Sequence, residues 1–406
     1  MDYQCHILTN GIRLIHKHIP NTIAYCCITI DTGSRDEKTE EHGMVHLIEH
    51  LLFKGTTKRK AFNILNRMED VGGEINAYTT KEETCIHSTF FSNYYPRVLE
   101  LFSDIVFNSV FPEKEIAKEK EVIIDEINSY KDSPSEMIFD EFEELVFHNN
   151  PIGRNILGEK DRLKSFTRKD ILQFVIRNYN PNQIVIASVG NIKFGRLIKY
   201  FEKYFGYIPA KSTRIIRAGF TDYSPIHKKI KHNTFQSHCI IGNVAYNIKD
   251  ERRLSLSLLN NLLGGPGLNS RLNMALRERN GFVYNIDSSY TPYINTGVIS
   301  IYFGTDKNNV DKSIKIVLKE LKILKTKALS ASQLVKAKRQ ILGQIAISIE
   351  NNENLMLSMG KSYSIFNKVD SLEEISRKII NITAKQLQDV ANEIFDTGKL
   401  SYLIYV

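Results

Sequence analysis

The stretch that most restricts what this chain can fold into is Glu41 to Thr56, EHGMVHLIEHLLFKGT, whose apolar spacing predicts an amphipathic helix. His46 and His50 are four residues apart, so they lie on one helical face, where both imidazoles can reach the same metal ion. Glu49 stands three residues after His46 and lies beside that ion without taking the same coordination position. Its carboxylate could therefore accept a proton from a water molecule held there. The spacing predicts a zinc site.

A motif this short also arises by chance, and single histidines on helices are more often packed or capped than bound to metal. A third ligand separates the two interpretations, because catalytic zinc takes three protein donors and keeps one position open. Glu113 to Ile127, EKEIAKEKEVIIDEI, predicts a second helix, on which Glu119 and Glu126 are two turns apart. They share a face, and that face can meet the histidine helix.

The order H-x-x-E-H is the inverse of the commoner zinc-protease motif. Here it is followed by Phe53-Lys54-Gly55-Thr56 and, seventy-six residues beyond His50, by Glu126. This arrangement resembles the pitrilysin/insulinase-type metallopeptidases, and within them the short branch that is similar to the mitochondrial processing peptidase. The resemblance runs nearly end to end.

The resemblance implies a role for each residue of the motif. It implies that His46, His50 and Glu126 bind one zinc ion per chain. It further implies that Glu49 is the general base and that Glu119 orients a ligating imidazole. If Glu126 were not the third ligand, Glu119 or Glu121 would be the next candidate. Relatives that have lost activity usually have a degraded H-x-x-E-H, whereas this one is intact.

The composition predicts a globular protein of more than one domain, because 406 residues exceed one ordinary core and 42% of them are hydrophobic. No apolar run approaches the roughly 20 residues that span a bilayer. The first residues, MDYQCHILTNGIRLIHK, lack the pattern of a secretory signal and predict strand, turn and strand. We therefore expect a cytoplasmic protein without a membrane partner.

The cysteines agree with that location. They are odd in number and form no C-x-x-C pair, which is typical of buried thiols in a reducing compartment, and none is expected to be catalytic. The five are Cys5, Cys26, Cys27, Cys85 and Cys239.

The net charge of +8 and the pI near 9.0 raise the possibility of nucleic-acid binding. The basic residues are scattered over predicted helices instead of forming a stripe with aromatics, so we interpret them as solvated faces and expect no nucleic-acid partner. The segment Glu113 to Glu144 differs, because it has twelve acids against four lysines. An acidic surface beside the metal would favour substrates that carry Arg or Lys near the cut.

The second half of the chain repeats the first without its metal ligands. Ser332 to Ile345, SQLVKAKRQILGQI, follows Lys114 to Ile127 apolar position for apolar position with one exception. In that register Gln344 and Ala337 stand where the two glutamates do, and no H-x-x-E-H occurs after residue 206. We predict a zinc-binding domain at 1–208, a linker at 209–221 and a homologous metal-free domain at 222–406.

Two further features of the metal-free half suggest contact with substrate. Arg277 and Tyr284 match an arginine and tyrosine pair that the family places in this half, where the resemblance implies that they bind a peptide carbonyl and stabilise an oxyanion. Without the resemblance, Arg277 would be assigned to the surface and Tyr284 to the core. The loop Gly264 to Gly267 is either a plain helix end or a gating segment, and its Pro266 departs from the family pattern.

A predicted edge strand, Gly73 to Thr79, is expected to pair with the substrate. Its Asn76-Ala77 fits a GG-x-x-N-A pattern of the family. Val45 is a second departure, because a smaller residue is usual before the first histidine.

Taken together, these features predict two homologous α+β domains, each a mostly antiparallel sheet flanked by helices. The resemblance implies that they close as a clamshell of the LuxS/MPP-like metalloenzyme fold. The expected function is a zinc endopeptidase that cleaves unfolded peptides inside a closed chamber. A homodimer is expected, since the family builds a chamber from four copies of the domain and this chain supplies two. The alternative is a catalytically silent assembly partner of the same fold.

Overall fold

The computed structural model describes residues 3–211, 216–232 and 234–406. The chain forms two compact units, each assembled from separate stretches of sequence. The first comprises Met1–Asn128, Arg154–Ile216 and Ile347–Asp370, and the second comprises Ser129–Gly153, Arg217–Ala346 and Ser371–Val406. Each predicted half therefore contributes one segment to the other unit. Residues 212–215 of the predicted linker lie outside the described residues.

Groups of strands are separated by groups of helices along the chain. They are β1 Gln4–Ile7, β2 Arg13–His18, β3 Ile23–Ile30, β4 Glu74–Thr79, β5 Thr84–Phe91, β6 Ile184–Gly190, β7 His227–Ile230, β8 Ser237–Val244, β9 Val283–Pro292, β10 Gly297–Thr305 and β11 Ser401–Tyr405.

The helices vary from one turn and a half to more than five turns. They are α1 Met44–Leu51, α2 Ala61–Glu69, α3 Tyr95–Phe107, α4 Glu113–Lys131, α5 Pro134–Val146, α6 Lys160–Ser165, α7 Arg168–Asn178, α8 Phe194–Phe205, α9 Arg253–Gly264, α10 Val310–Thr326, α11 Ala331–Glu350, α12 Asn352–Phe366, α13 Leu372–Ile380 and α14 Ala384–Ile394. Every helix of the described residues is too short or too polar to cross a bilayer.

Local sequence signals place many of these elements correctly. The sequence predicts a strand at 84–91 and a helix at 194–205, and both form with those bounds. The Asn10-Gly11 turn joins β1 to antiparallel β2, with Gly11 at a φ of +96° that favours glycine. Thr167-Arg168-Lys169-Asp170 predicts a capping box, and the box forms, since the Thr167 side chain accepts a hydrogen bond from the amide of Asp170.

The two sheets share one topology, which confirms the predicted duplication of fold. The first sheet has the order β1-β2-β6-β3-β5-β4 and the second has the order β7-β11-β8-β10-β9. If β1 is set aside, the orders correspond strand for strand. In each sheet the first pair is parallel, β2 with β6 and β7 with β11, and the remaining pairs are antiparallel. Both sheets are therefore mostly antiparallel, as expected.

Each sheet is covered on one face by a helix from the other half of the sequence. In the first unit, α12 packs on β3 and β6, where Met356 and Met359 are fully buried. In the second unit, α5 packs on β8 and β11 through Ile138 and Phe142. Apolar burial of this kind stabilises by about 1.5–3 kcal/mol per large side chain. Neither half alone can bury both faces of its sheet.

Close packing of α12 on the first sheet depends on Gly360. A Cβ at this position would lie 3.1 Å from Cys27 Sγ, 3.2 Å from Thr29 Oγ1 and 3.4 Å from Ala187 Cβ. We predict that Gly360→Leu lowers the free energy of unfolding by about 1–3 kcal/mol through overpacking. Urea denaturation of the full chain would measure this.

Gly343 on α11 is the matched control, because a Cβ there meets nothing within 4 Å. Gly343→Leu should raise stability by up to about 0.8 kcal/mol, as leucine favours helix more than glycine does. Equal effects of the two substitutions would contradict the packing described for α12.

Candidate metal centre

The helix that carries the two histidines is short and needs help to form. The sequence predicts a helix within 41–56, but α1 spans only Met44–Leu51. It begins after Gly43, whose φ is 96°, and the carboxylate of Glu37 accepts hydrogen bonds from the amides of Gly43 at 3.0 Å and Val45 at 2.8 Å. Isolated helices of this length are unstable in water, so this cap and the burial of its apolar face hold α1 in place.

Sequence reasoning missed Glu37. Its side chain is buried, and burial raises its pKa, while the two amides and the nearby Arg154 oppose that rise. The signal was an acidic residue ahead of the helix start, but Glu37 lies seven positions before the first helical residue, outside the usual capping spacing. Only the folded loop brings it to the end of α1.

The two histidines and Glu126 converge on one point. His46 Nε2 lies 3.2 Å and His50 Nε2 lies 3.8 Å from Glu126 Oε2, and the three candidate ligand atoms are within 4.8 Å of one another. Zinc bonds of about 2.0–2.2 Å in a tetrahedron place neighbouring donors roughly 3.3–3.5 Å apart. The donor set of two imidazoles and one carboxylate therefore fits a zinc ion. In the described residues this is the one such group of three.

Neighbouring charges and hydrogen bonds keep the carboxylates of Glu126 and Glu49 ionised. Burial alone would lower the pKa of His46, but hydrogen bonds to Glu126 and Glu49 outweigh it and raise the pKa to about 9. His46 in turn lowers the pKa of Glu126. Burial would raise the pKa of Glu49, yet its hydrogen bonds and the two histidines lower it. Glu49 is thus a carboxylate at neutral pH, with Oε2 3.8 Å from His46 Nδ1.

Glu119 contacts the second histidine from the opposite side. Its Oε2 lies 3.1 Å from His50 Nδ1, and a hydrogen bond donated by Nδ1 makes Nε2 the ring nitrogen available to a metal ion. Its other oxygen, Oε1, lies 2.8 Å from Lys54 Nζ. The Glu119 side chain is 8% exposed, so this polar group depends on its two partners.

A cleft of about 330 Å³ opens beside these residues. Glu49 and His50 line one side, and Asn76 and Ala77 of β4 line another. In the first sheet β4 is an edge strand that pairs with β5, and among the described residues no strand pairs with its outer side. The structure thus brings the predicted strand residues to the metal group.

The predicted residues of the second unit are on its surface. Arg277 is exposed and lies at the end of a π-helical segment, Asn273–Glu278, which the sequence did not reveal and which is a feature often found at functional sites. Tyr284 is the second residue of β9 and is 53% exposed, so the assignment of its side chain to the core from the residue type alone is wrong. Its phenol donates a long hydrogen bond of 3.4 Å to Asp306.

The loop Gly264 to Gly267 is tightly packed. A Cβ at Gly264 would lie 2.6 Å from Ser288 Cβ, and one at Gly267 would lie 2.4 Å from Gln340 Nε2. The close approach of these neighbouring side chains therefore explains why glycine occupies both positions at the end of α9.

Each half of the chain matches the model of a known protein family. Residues 13–160 match the model described as Insulinase (Peptidase family M16), and residues 165–341 match the model described as Peptidase M16 inactive domain. The second match covers the half in which the sequence has no H-x-x-E-H.

The chain is similar over nearly its full length to curated bacterial proteins. The uncharacterized zinc protease YmxG of Bacillus subtilis is 31% identical, over 97% of this chain and 95% of that protein. An uncharacterized zinc protease of Rickettsia felis is also 31% identical, over 98% and 96%. Among solved structures, a protease from Helicobacter pylori matches with a TM-score of 0.93 at 20% identity, covering 100% of this chain and 99% of that one.

A second solved structure, described as a peptidase M16 inactive domain from Pseudomonas fluorescens, has the same TM-score of 0.93 at 18% identity and covers 100% of this chain and 98% of that one. At these identities the two structural matches establish the fold, and they confirm the fold class expected from the sequence.

The cap on α1 generates a prediction. Glu37→Ala removes the acceptor for two buried amides, so we expect it to lower the free energy of unfolding by about 1–3 kcal/mol and to weaken zinc binding. Urea denaturation and competition with a zinc chelator would measure the two effects. Exposed Glu40, three residues away, is the control, and Glu40→Ala should change stability by less than about 0.5 kcal/mol. Similar losses in both variants would show that the cap is not needed.

Proposed function

Because this chain belongs to the insulinase family of peptidases, family M16, we propose that it is a zinc-dependent endopeptidase whose metal is held by His46, His50 and Glu126. One observation carries the proposal: two imidazoles and one carboxylate converge within 4.8 Å of one another, in a chain whose relatives are named zinc proteases. One zinc ion per chain is proposed, since the second half has no counterpart of the motif.

The chemistry is divided between the metal and the chain's own residues. When bound, zinc supplies a Lewis acid that makes water more acidic and polarises a carbonyl group. Glu49 lies beside the donors and lines the cleft, where its carboxylate can accept a proton. We assign it the role of general base toward the attacking water. Glu119 fixes the orientation of the His50 ring.

The substrate proposed for this site is an unfolded peptide. An edge strand beside the cleft favours an extended chain, whose backbone can pair with the outer side of β4 next to Asn76 and Ala77. A folded protein rarely offers a free extended segment. Enclosure of the substrate in a chamber formed by the two domains is part of the proposal and follows from the family resemblance.

We propose that a preference for substrates with basic residues near the cleaved bond comes mainly from acidic side chains of α4. Glu121 and Asp125 are exposed on that helix, which also carries Glu126. The later acids of the acidic segment belong to α5 in the second compact unit. Exposed carboxylates attract a basic peptide through long-range electrostatics, and added salt weakens this attraction.

Arg277 and Tyr284 are proposed to contact the substrate from the metal-free domain. Both are exposed and present hydrogen-bond donors, a guanidinium and a phenol. A guanidinium suits a peptide carbonyl and a phenol suits an oxyanion, so their chemistry supports the role that the family resemblance implies.

The cytoplasm remains the proposed location. The five cysteines are free thiols, of which Cys26, Cys27, Cys85 and Cys239 are buried. Cys5 is exposed, contrary to the expectation that all five are buried. Free thiols are typical of a reducing compartment.

Two substitutions separate metal binding from catalysis. Glu49→Gln should keep zinc but lower kcat by about 10²–10⁴-fold, because an amide cannot accept the proton. Glu126→Gln should lose zinc, whereas Glu121→Gln, also exposed on the same helix but outside the donor group, should retain it. Metal analysis and cleavage of a mixed peptide library would measure these effects. Stoichiometric zinc without any cleavage by the wild-type protein would favour the silent assembly partner instead.

We also propose that the active particle is a homodimer. Light scattering on the purified protein is expected to give twice the chain mass of 46.7 kDa. A monomer with full peptidase activity would contradict this, as would activity that appears only after a different chain is added.

A further inference from the structure

Lys54 lies next to the metal group without belonging to the donors. Its Nζ is 2.8 Å from Glu119 Oε1, while Glu119 Oε2 accepts the hydrogen bond from His50 Nδ1 at 3.1 Å. We propose that Lys54 is a positioning residue of the metal centre, which acts on His50 through Glu119. This inference depends on the zinc site proposed above.

A single hydrogen bond leaves a carboxylate free to rotate, whereas partners on both oxygens fix its plane. Lys54 and His50 provide those two partners for Glu119. A buried carboxylate is also costly unless a positive charge compensates it, and the Glu119 side chain is only 8% exposed. Lys54 supplies that charge when His50 is the neutral imidazole that a metal requires. It therefore holds Glu119 as a hydrogen-bond acceptor in a fixed orientation.

The backbone of Lys54 is itself held in place. Its amide donates to the carbonyl of Leu51, so it turns directly off the end of α1. Two residues later, the hydroxyl of Thr56 donates to Asp104 at 2.8 Å, and Arg59 forms an ion pair with the same carboxylate. This turn directs the ammonium group back toward α4. The contact between Lys54 and Glu119 thus joins the end of the histidine helix to the helix that carries Glu126.

A different role for Lys54 is direct binding of an anionic group of the substrate, since its side chain is 31% exposed and lines the cleft. The two roles differ in a measurement without substrate. A positioning residue changes the affinity for zinc, whereas a residue that only binds substrate does not.

The test is zinc affinity measured by competition with a chromophoric chelator, at fixed pH and salt and without peptide. Glu119→Gln is expected to weaken binding by about 10–100-fold, the range for partners of metal ligands. Lys54→Met should weaken it by about three- to tenfold, and Lys54→Arg, which keeps the charge, should restore most of the loss. Lys58→Met is the control, because Lys58 is an exposed lysine four residues away. It should leave the affinity unchanged.

The double variant Lys54→Met/Glu119→Gln identifies the route of the effect. If Lys54 acts through Glu119, the double variant binds zinc no more weakly than Glu119→Gln alone. If the loss of zinc affinity in the double variant equalled the product of the two single losses, the proposal would be overturned. A loss in Lys58→Met equal to that in Lys54→Met would also overturn it. Unchanged affinity in Lys54→Met would overturn it too and would favour the substrate role. If Lys54→Met failed to fold, Lys54→Gln would be measured in its place. Failure of the wild-type protein to bind zinc would instead refute the proposed function.

Discussion

Two imidazoles held one turn apart on a short helix are the constraint on which the rest of this structure depends. Eight residues are too few for a helix that is stable by itself, so α1 is fixed by its surroundings. Glu37 satisfies its first amides, and Met44, Val45, Leu47, Ile48 and Leu51 are buried on its apolar side. The helix α4 then supplies Glu126 to the donor group and Glu119 to the back of one ring. The proposed metal position is therefore a consequence of packing between two helices.

The parts of this arrangement that the sequence predicts are those with local or repeated signals. The spacing of His46 and His50 defines one helical face, and the two glutamates of α4 are separated by two turns. Turn residues and alternation also place strands such as β5 and the β1-β2 hairpin. The choice of Glu126 over its neighbours came from family resemblance, and the geometry now brings it to the two histidines.

What the sequence did not reveal depends on contacts between distant residues. Glu37 reaches α1 through a folded loop, and the partner of Lys54 lies sixty-five positions along the chain. The placement of α5 and α12 on the opposite sheets has no local signal, since each is an ordinary amphipathic helix. The π-helical segment that contains Arg277 likewise has no signal in the sequence.

Corresponding positions in the two halves show how the second half differs at the proposed metal ligands. The helices α4 and α11 correspond, and Ala337 is buried at the position equivalent to buried Glu119. A small apolar residue keeps that position in the core without a charge that needs partners. Gln344 replaces the third ligand, and an amide is a poor zinc donor. The second domain therefore keeps the fold and can contribute contacts of another kind, such as those proposed for Arg277 and Tyr284.

X-ray absorption spectroscopy at the zinc edge tests the central claim most directly, because it reports the ligands without relying on catalysis. The account predicts one zinc per chain with two imidazole nitrogens and carboxylate or water oxygens at about 2.0–2.2 Å, and no sulfur. A spectrum with sulfur at about 2.3 Å, or a single imidazole, would contradict the assignment of His46, His50 and Glu126 as the metal centre.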